Sequence, residues 1–462
     1  MASIRTTFFC TECGNETPRW AGQCPACHAW NTLVEEPRRR GGARGGGRGG
    51  APGAGAVVRA RRSSPARLGD VVGGDEARWR TGLDEFDFVL GGGVVPGSLV
   101  LVGGEPGIGK STLLLQVAAR LEAAGHPALY VSGEESAAQV RLRADRIAGG
   151  AADVVFLAET ELETILAHAT ERGPEVLFID SIQTVYTPEF EGAPGNVSQV
   201  RECAARLQRY AKENGVAVFL VGHVTKGGVV AGPKTLEHIV DTVLYFEGAG
   251  DLDHRVLRAT KNRFGGADEI GVFRMTAGGL APVANPSELF LGERTEGVSG
   301  AAVVATMEGT RPLLVEVQGL CTRASYGAAQ RVSTGYDRQR LALLLAVLEK
   351  RAGITFGELD VFLNVVGGVR LVETAGDLAV AAALASSVFD RVVPGDAVFV
   401  GEIGLGGELR AVGQVERRLA EAARMGFRRA YLPRRAVPAR PPAGLEVVGL
   451  KDVAQSMEQI FG

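Results

Sequence analysis

The chain has 462 residues, of which 45% are hydrophobic and 22% charged, and its formal net charge is −3. This length predicts two or three domains, and the composition indicates a soluble globular protein rather than a disordered one. No run approaches the roughly 18 consecutive apolar residues of a membrane span, and the N-terminus lacks the apolar core of a secretory signal, so a cytoplasmic location is expected.

Four cysteines near the N-terminus form two CxxC pairs, Cys10 with Cys13 and Cys24 with Cys27. Each pair places two thiolates on one tight turn, and the ten-residue separation predicts a four-cysteine zinc site within residues 1–36. Because so short a segment lacks the apolar area to fold alone, we expect metal binding to supply its stability. A disulfide framework fits poorly in a cytoplasmic chain.

Residues 37–67 are rich in glycine, arginine and proline, with eight arginines and no acidic residue between positions 37 and 62. Such a segment cannot bury a core, and it predicts a flexible linker. Its arginines could neutralise phosphates and make the zinc module a mobile arm for DNA or for a partner protein. A passive tether whose arginines only keep it soluble is the equally weighted alternative.

From 68 to 284, strand-like apolar runs alternate with helical segments. The runs are 98–103, 128–132, 154–158, 176–180 and 216–222, and the helical segments are 112–124, 161–172 and 197–214. This alternation indicates an α/β domain with parallel strands and crossover helices. Shorter strand signals after Asp241 predict an antiparallel extension. From 285 the pattern changes to that of a separate α+β domain, with helices expected at 336–351, 377–388 and 415–425.

The first strand runs into GGEPGIGKST, which matches the phosphate-binding pattern G-x-x-x-x-G-K-[ST]. Glycines let the backbone amides curl around phosphates, and the following helix N-terminus adds positive potential. Lys110 is expected to reach the β- and γ-phosphates of ATP, and Ser111 to ligate magnesium. The predicted nucleotide-binding residues are Gly104, Glu105, Pro106, Gly107, Ile108, Gly109, Lys110, Ser111, Thr112 and Asp180.

Acidic residues end or follow two other predicted strands. Asp180 ends VLFID, where its carboxylate would face the magnesium shell of a bound nucleotide. Glu134 and Glu135 follow ALYVS, where a glutamate could orient and deprotonate the attacking water. Adjacent side chains point in opposite directions, so we favour Glu134 as the base and Glu135 as a salt-bridging or supporting residue. The sequence leaves the choice between them open.

Two further basic sites follow predicted strands. His223, which begins HVTKGG, could contact the γ-phosphate and report its presence to the following loop, although a surface histidine is the alternative. Lys261 and Arg263 lie in KNRFGG, where Gly265 and Gly266 permit a tight turn. A cation there could enter a neighbouring subunit's site as an arginine finger does. The alternative is a basic loop that contacts nucleic acid or solvent.

The motifs CxxC…CxxC, GGEPGIGKST, VSGEES, VLFIDS, GHVTK and KNRFG together resemble the RadA (Sms) family of bacterial DNA repair proteins, over nearly the whole chain. The resemblance implies a RecA-like P-loop ATPase core with an N-terminal zinc ribbon and a C-terminal α+β domain similar to that of Lon protease (S5-like), at 285–462. It implies a hexameric, helicase-like branch-migration motor on single-stranded DNA that processes recombination intermediates with RecA. ATP, magnesium and zinc are the implied cofactors.

By the same resemblance, Lys110 is the phosphate lysine, and Lys261 and Arg263 support both ATP turnover and DNA engagement. The loops around HVTKGG and KNRFGG are expected to grip single-stranded DNA, which adds Lys226 to the expected DNA contacts. A different class of function is a nucleotide-switched DNA-binding scaffold that does not translocate. Single-stranded DNA that stimulates steady ATP turnover, coupled to strand displacement, distinguishes the motor from the scaffold.

The similarity to Lon protease raises proteolysis as another possibility. That enzyme uses a serine activated by a lysine, but here Asp377 stands about where the serine would be and Glu416 where the lysine would be. The lysines beyond 285, Lys350 and Lys451, lie in other segments, and an arginine holds its proton too tightly to act as the base. Proteolysis is therefore not expected. The domain is instead expected to build the ring and to present arginines to DNA or solvent, namely Arg311, Arg323, Arg331, Arg338 and Arg340.

Overall fold

The computed structural model describes residues 5–10, 16–17, 19–25, 28–38, 78–147, 150–223, 236–248, 254–292, 294, 297–324 and 329–462. None of the helices within these ranges combines the length and the apolar character that a bilayer crossing requires. The chain divides into two compact units, the first formed by 1–81 with 93–243 and the second by 82–92 with 244–462. The division into two units does not test the domain bounds predicted from the sequence, which are 1–36, 37–67, 68–284 and 285–462, and these bounds stay predictions.

The strands and helices are numbered in chain order. The strands are β1 (Arg5–Cys10), β2 (Glu16–Thr17), β3 (Leu33–Arg38), β4 (Leu99–Gly104), β5 (Ala128–Ser132), β6 (Val155–Ala158), β7 (Val176–Asp180), β8 (Ala217–His223), β9 (Thr242–Gly248), β10 (His254–Asn262), β11 (Ile270–Thr276), β12 (Gly279–Pro282), β13 (Ala301–Glu308), β14 (Arg311–Arg323), β15 (Arg331–Thr334), β16 (Leu359–Val365), β17 (Ala397–Phe399), β18 (Glu402–Ile403), β19 (Leu409–Arg410), β20 (Arg429–Pro433) and β21 (Glu446–Leu450). The α-helices are α1 (Asp84–Val89), α2 (Lys110–Ala123), α3 (Ala137–Ala144), α4 (Leu162–Arg172), α5 (Val197–Asn214), α6 (Pro286–Leu291), α7 (Arg338–Ala352), α8 (Asp377–Phe389), α9 (Val415–Arg424) and α10 (Val453–Phe461).

A three-stranded antiparallel sheet, ordered β2-β1-β3, lies near the N-terminus. Cys10 and Cys24 are both fully buried and pack in one small cluster with Leu33. Cys13 and Cys27 lie outside the described residues, as does the predicted linker beyond position 38, so the structure brings two of the four predicted zinc ligands together.

The first unit contains a parallel sheet in the order β4-β8-β7-β5-β6. Strands β4, β5 and β7 are buried at every position, because helices cover both faces of such a sheet and each strand must be apolar on both sides. These strands and helices α2, α4 and α5 lie within two residues of the predicted segments. The predicted α/β class with parallel strands is confirmed.

The second unit is α+β. It contains the antiparallel run β10-β11-β12, which confirms the predicted extension, and a mixed seven-stranded sheet ordered β15-β16-β14-β13-β17-β20-β21. Helix α8 is buried on nearly all faces because it packs between β13 and β14 and the helices α7 and α10. Its alanine-rich sequence allows this close approach on several sides.

Helix α1 belongs to the second unit although it precedes the phosphate loop in the chain. Its Glu85 is 4% exposed and accepts hydrogen bonds from the two terminal guanidinium nitrogens of Arg311, at 2.6 and 2.7 Å. The amide of Val272 also donates to Glu85 Oε2 at 2.8 Å. A buried carboxylate needs such partners because an unpaired charge in the interior is strongly unfavourable. No local pattern predicts this pairing, because the two residues are 226 positions apart.

A second buried ion pair fixes helix α9 to the sheet. The Arg418 side chain is 3% exposed and donates to both carboxylate oxygens of Glu373, each at 2.6 Å, and to the carbonyls of Ala305 and Gly413. Glu373 also accepts from the amide of Met307 and the hydroxyl of Thr306. Burial acts to raise the pKa of Glu373, but the hydrogen bond from Arg418 and its charge outweigh burial and lower it.

Replacing Arg418 tests this pair. In Arg418→Met the Glu373 carboxylate loses its charged partner, and we expect the free energy of unfolding to fall by about 3 kcal/mol, toward the lower end for a broken buried pair because the Glu373 side chain is 30% exposed. The matched control is Arg410→Met, which removes an exposed pair with Glu408 and should lower the free energy of unfolding far less than Arg418→Met does. Chemical denaturation followed by circular dichroism measures both, and equal losses in the two variants contradict the assignment.

Candidate functional site

The carboxyl ends of the parallel strands form one edge of the first unit's sheet. The register pairs Gly104 with His223 and Ser132 with Asp180 across neighbouring strands. Glu134 follows Ser132 by two residues. In open α/β sheets this edge is where ligands bind. The structure brings to it the predicted phosphate loop, the predicted magnesium ligand Asp180, the predicted base Glu134 and His223.

The phosphate loop turns from β4 into α2 between Gly104 and Lys110. Gly107 and Gly109 have φ of 77° and 115°, backbone conformations that favour glycine. Gly109 is the N-cap of α2 and has no side chain to cap it, so the first amides of the helix point into the loop. An anion is the natural partner for those amides, and a triphosphate fits this chemistry.

Lys110 is buried at the base of this loop, with 3% of its surface exposed. Its Nζ donates to the carbonyls of Gly104 and Glu105, at 3.0 and 2.9 Å. Burial lowers the pKa of Lys110, and the negative charges of Asp180 and Glu134 act in the opposite direction. The loop thus holds a positive charge close to two carboxylates, as a site for phosphates and a divalent cation requires.

Asp180 ends β7 and is 4% exposed. The hydroxyl of Tyr130, on the neighbouring strand β5, donates to Asp180 Oδ2 at 2.7 Å. Burial raises the pKa of Asp180, whereas hydrogen bonds from Tyr130 and Ser111 oppose that rise. Burial and the adjacent carboxylate hold the pKa of the Tyr130 hydroxyl well above its usual range. Asp180 and Ser111, the two predicted magnesium ligands, are therefore near neighbours.

Glu134 and Glu135 face different partners. Glu134 Oε1 accepts a hydrogen bond from the Ser181 hydroxyl and lies 3.2 Å from His223 Nε2. Glu135 instead forms a two-bond ion pair with Arg143 of α3, with both nitrogen–oxygen distances at 2.5 Å. The contact with His223 lowers the pKa of Glu134, with help from Ser181 and against the effect of burial. An ionised carboxylate is the form in which a general base accepts a proton.

His223 is the last residue of β8, and its carbonyl accepts from Gln183. The loop that follows, with Lys226, lies outside the described residues. The roles predicted for Glu134, His223 and Lys226 stay predictions.

Lys261 and Arg263 lie in the second unit, at the end of β10 and directly after it. The Asn262 side chain organises this turn, because its Oδ1 accepts from the amide of Phe264 and its Nδ2 donates to the carbonyl of Val89. A Cβ at Gly265 would lie 2.9 Å from Gly91 Cα. The need for glycine there comes from close packing of two backbone segments rather than from a positive φ.

Asp377, which the resemblance predicts to stand where Lon has its nucleophile, is fully buried at the start of α8. It accepts from the Tyr336 hydroxyl at 2.6 Å, from the Ile403 amide at 3.0 Å and from the Arg340 guanidinium. Glu416, which the resemblance predicts to stand where Lon has its lysine, is exposed on α9. Lys350 and Lys451, the lysines beyond 285, are exposed as well.

The prediction that five second-unit arginines form a DNA or solvent face is wrong for three of them. Arg311 is bound to Glu85, Arg340 to Asp377, and Arg331 to the carbonyls of Leu359 and Phe356. Arg311 and Arg340 neutralise buried carboxylates and Arg331 donates to backbone carbonyls, and periodicity along a single strand or helix cannot reveal such partners. Arg323 and Arg338 are exposed.

Residues that the sequence did not single out also contribute to the site. Tyr130, Ser181 and Arg143 each hold one of the acidic residues. Tyr130 occupies a buried strand position that an apolar pattern treats as core, and its partner Asp180 is 50 residues away. For Arg143, the local sequence pattern that could have indicated its helix is the capping box of Ser136 and Gln139, which marks the start of α3.

Comparison with known proteins agrees with this architecture. Residues 75–229 match the AAA domain family, and residues 8–35 match the rubredoxin metal binding domain family. The chain is 48% identical over 463 residues to the DNA repair protein RadA of Bacillus subtilis (strain 168), and 50% identical over 464 residues to that of Pseudomonas aeruginosa. Each alignment covers 100% of both chains. The resemblance predicted from the motifs is confirmed: an ATPase domain and an N-terminal metal-binding module belong to one chain, and that chain is a member of the RadA family of DNA repair proteins.

Proposed function

We propose that the chain is a DNA-stimulated ATPase that drives helicase-like branch migration on single-stranded DNA and processes recombination intermediates together with RecA. The observation that carries the proposal is the arrangement of Glu134, which accepts a hydrogen bond from Ser181 and lies 3.2 Å from His223, at the same sheet edge as Lys110. Family membership supports the DNA repair role. A homo-hexamer with ATP between subunits is part of the proposal.

The loop residues 104–112 bind the phosphates of ATP in this proposal, through amides at the start of α2 and through Lys110. Exchange of its carbonyl partners for phosphate oxygens lets the lysine keep its hydrogen bonds while it gains a charged acceptor. When bound, magnesium would offset the negative charge of the phosphates, and Ser111 with Asp180 would hold it. Zinc would stabilise the N-terminal module through Cys10, Cys13, Cys24 and Cys27.

Glu134 acts as the general base for the attacking water. Its ionised state and its hydrogen bond from Ser181 suit that role, because an oriented carboxylate can accept the proton as the water attacks. His223 lies beside Glu134 and begins the loop that carries Lys226. A change at the γ-phosphate is transmitted through His223 to that loop, and Lys226, Lys261 and Arg263 contact the DNA backbone.

The second unit has a structural role in this proposal rather than a proteolytic one. Asp377 has no solvent exposure, and its oxygens are engaged by Tyr336, Arg340 and Ile403. A carboxylate fixed in this way cannot replace an activated serine, and the exposed Lys350 and Lys451 are not in the lysine's segment. ATP-driven degradation of casein should therefore be absent.

Strand displacement from a fluorescent forked DNA tests the motor. The wild-type protein should displace the strand only with ATP, and RecA should increase the effect. Lys110→Ala should abolish displacement and lower ATP turnover by about 100-fold or more, because a buried charge on the phosphates is lost. Lys212→Ala, at an exposed position of α5, is the matched control and should behave as the wild type. ATP turnover that DNA stimulates without displacement favours the nucleotide-switched scaffold instead.

Glu134→Gln tests the base. The change keeps the size of the side chain but removes its basicity, so ATP turnover should fall by about 100- to 10,000-fold while ATP binding persists. Glu135→Gln is the matched control at the adjacent residue and should lose at most about tenfold, since Glu135 pairs with Arg143. Single-turnover hydrolysis and equilibrium binding of labelled ATP measure the two properties. The reverse ranking of the variants assigns the base to Glu135.

Lys261→Ala tests the coupling between ATP and DNA. ATP binding should stay within about twofold of wild type, while the stimulation of turnover by single-stranded DNA should be lost, because a phosphate contact is removed. Turnover with and without an oligonucleotide, measured at several salt concentrations, reports the effect. A loss of ATP binding in this variant shows that Lys261 has been assigned to the wrong step.

A further inference from the structure

Tyr130 lies directly behind the carboxylate that is predicted to hold magnesium. Its ring is 1% exposed, and its hydroxyl donates to Asp180 Oδ2 at 2.7 Å. Tyr130 and Asp180 come from neighbouring parallel strands, β5 and β7, two residues apart in the register. We propose that Tyr130 is a positioning residue that fixes the Asp180 carboxylate for magnesium-dependent nucleotide binding. This inference rests on the proposed function of the phosphate loop.

The hydroxyl has a specific effect on Asp180. An aspartate carboxylate turns easily about its last torsion, which has a broad energy minimum. A donor fixed at Oδ2 restricts this freedom and so limits the directions in which the remaining acceptor positions of Asp180 can point. Because Asp180 is 4% exposed, solvent supplies little alternative bonding, and one protein donor has a large influence on its orientation.

Tyr130 is itself held rigidly. Its ring stacks on Phe178 of β7, with ring centroids 5.9 Å apart and an interplanar angle of 21°. Phe178 stacks in turn on Phe219 of β8, at 5.1 Å. These rings fix the hydroxyl relative to two strands of the sheet. A side chain supported in this way holds its partner in place more firmly than one on a loop.

A charged pair supports the same arrangement from helix α3. Arg143 binds both oxygens of Glu135, and its positive charge acts on both Tyr130 and Asp180. The helix that bears Arg143 packs beside the sheet and contacts β6. The fixed charge of Arg143 therefore acts on both members of the hydrogen-bonded pair, Tyr130 and Asp180.

The test measures the binding of mant-AMPPNP, a fluorescent nucleotide that is not hydrolysed, as magnesium is titrated into the full-length protein. In Tyr130→Phe the stacked ring stays and only the hydroxyl is lost. We expect the magnesium concentration at half-maximal binding to rise about three- to tenfold, as for the loss of one hydrogen bond of typical net strength. Nucleotide affinity without magnesium should stay within about twofold of wild type.

Tyr210→Phe is the matched control, since Tyr210 is also largely buried in the first unit but its hydroxyl bonds Thr170 on α4. Its magnesium midpoint should equal that of the wild type. A variant with p-aminophenylalanine at position 130 restores a donor at the same place, and its midpoint should return to within about twofold of the wild type. Thermal melting confirms that each variant is folded at the assay temperature.

Three outcomes overturn the inference: an unchanged midpoint in folded Tyr130→Phe, an equal shift in Tyr210→Phe, or a loss of affinity that is the same with and without magnesium. If Tyr130→Phe does not fold, the p-aminophenylalanine variant decides, and a raised midpoint there also overturns it. A wild-type protein that binds no nucleotide with magnesium contradicts the proposed function of the loop instead. The two failures are thus distinguishable.

Discussion

The buried charge of Lys110 is the interaction on which the rest of the candidate site depends. An ammonium group that loses its hydration is stable only where acceptors and opposite charges surround it. Here two loop carbonyls accept its protons, and Asp180 and Glu134 supply negative charge nearby. The parallel register makes this possible because it brings the ends of separate strands to one edge. The parallel register of the strands therefore determines both the fold of this unit and the grouping of charges in the candidate site.

Two buried carboxylates illustrate how environment separates a functional group from a structural one. Asp180 and Asp377 are both nearly inaccessible, and each accepts a hydrogen bond from a tyrosine hydroxyl. Asp377 also accepts hydrogen bonds from a guanidinium and a backbone amide, so its acceptor positions are occupied by partners inside the unit. Asp180 instead lies beside the start of α2, with Ser111 as a neighbour. The same side chain stabilises a core in one unit, and in the proposed function it holds a cation in the other.

The sequence predicted those parts of the molecule that local patterns encode. The strands of the first unit and the phosphate loop follow from apolar runs and from the spacing of Gly104, Gly109 and Lys110. Helix α3 was missed because it is short and mostly exposed, with only Val140 and Ala144 buried. The partners of the acids were missed for another reason. Ser181 and Glu134 are 47 residues apart, and Arg311 and Glu85 are 226 apart, so no local period connects them.

The pairing of Glu85 with Arg311 also constrains the order in which the chain can be completed during synthesis. Helix α1 emerges from the ribosome more than 200 residues before its partner, a delay of about 10–50 s at ordinary elongation rates. Through that interval the Glu85 carboxylate must stay hydrated, because the site that buries it does not exist yet. The chain of the first unit is thus interrupted by residues 82–92, which can pack only after the second unit has been synthesised. A fragment that begins at β10 would lack Glu85, so Arg311 would have lost its carboxylate partner.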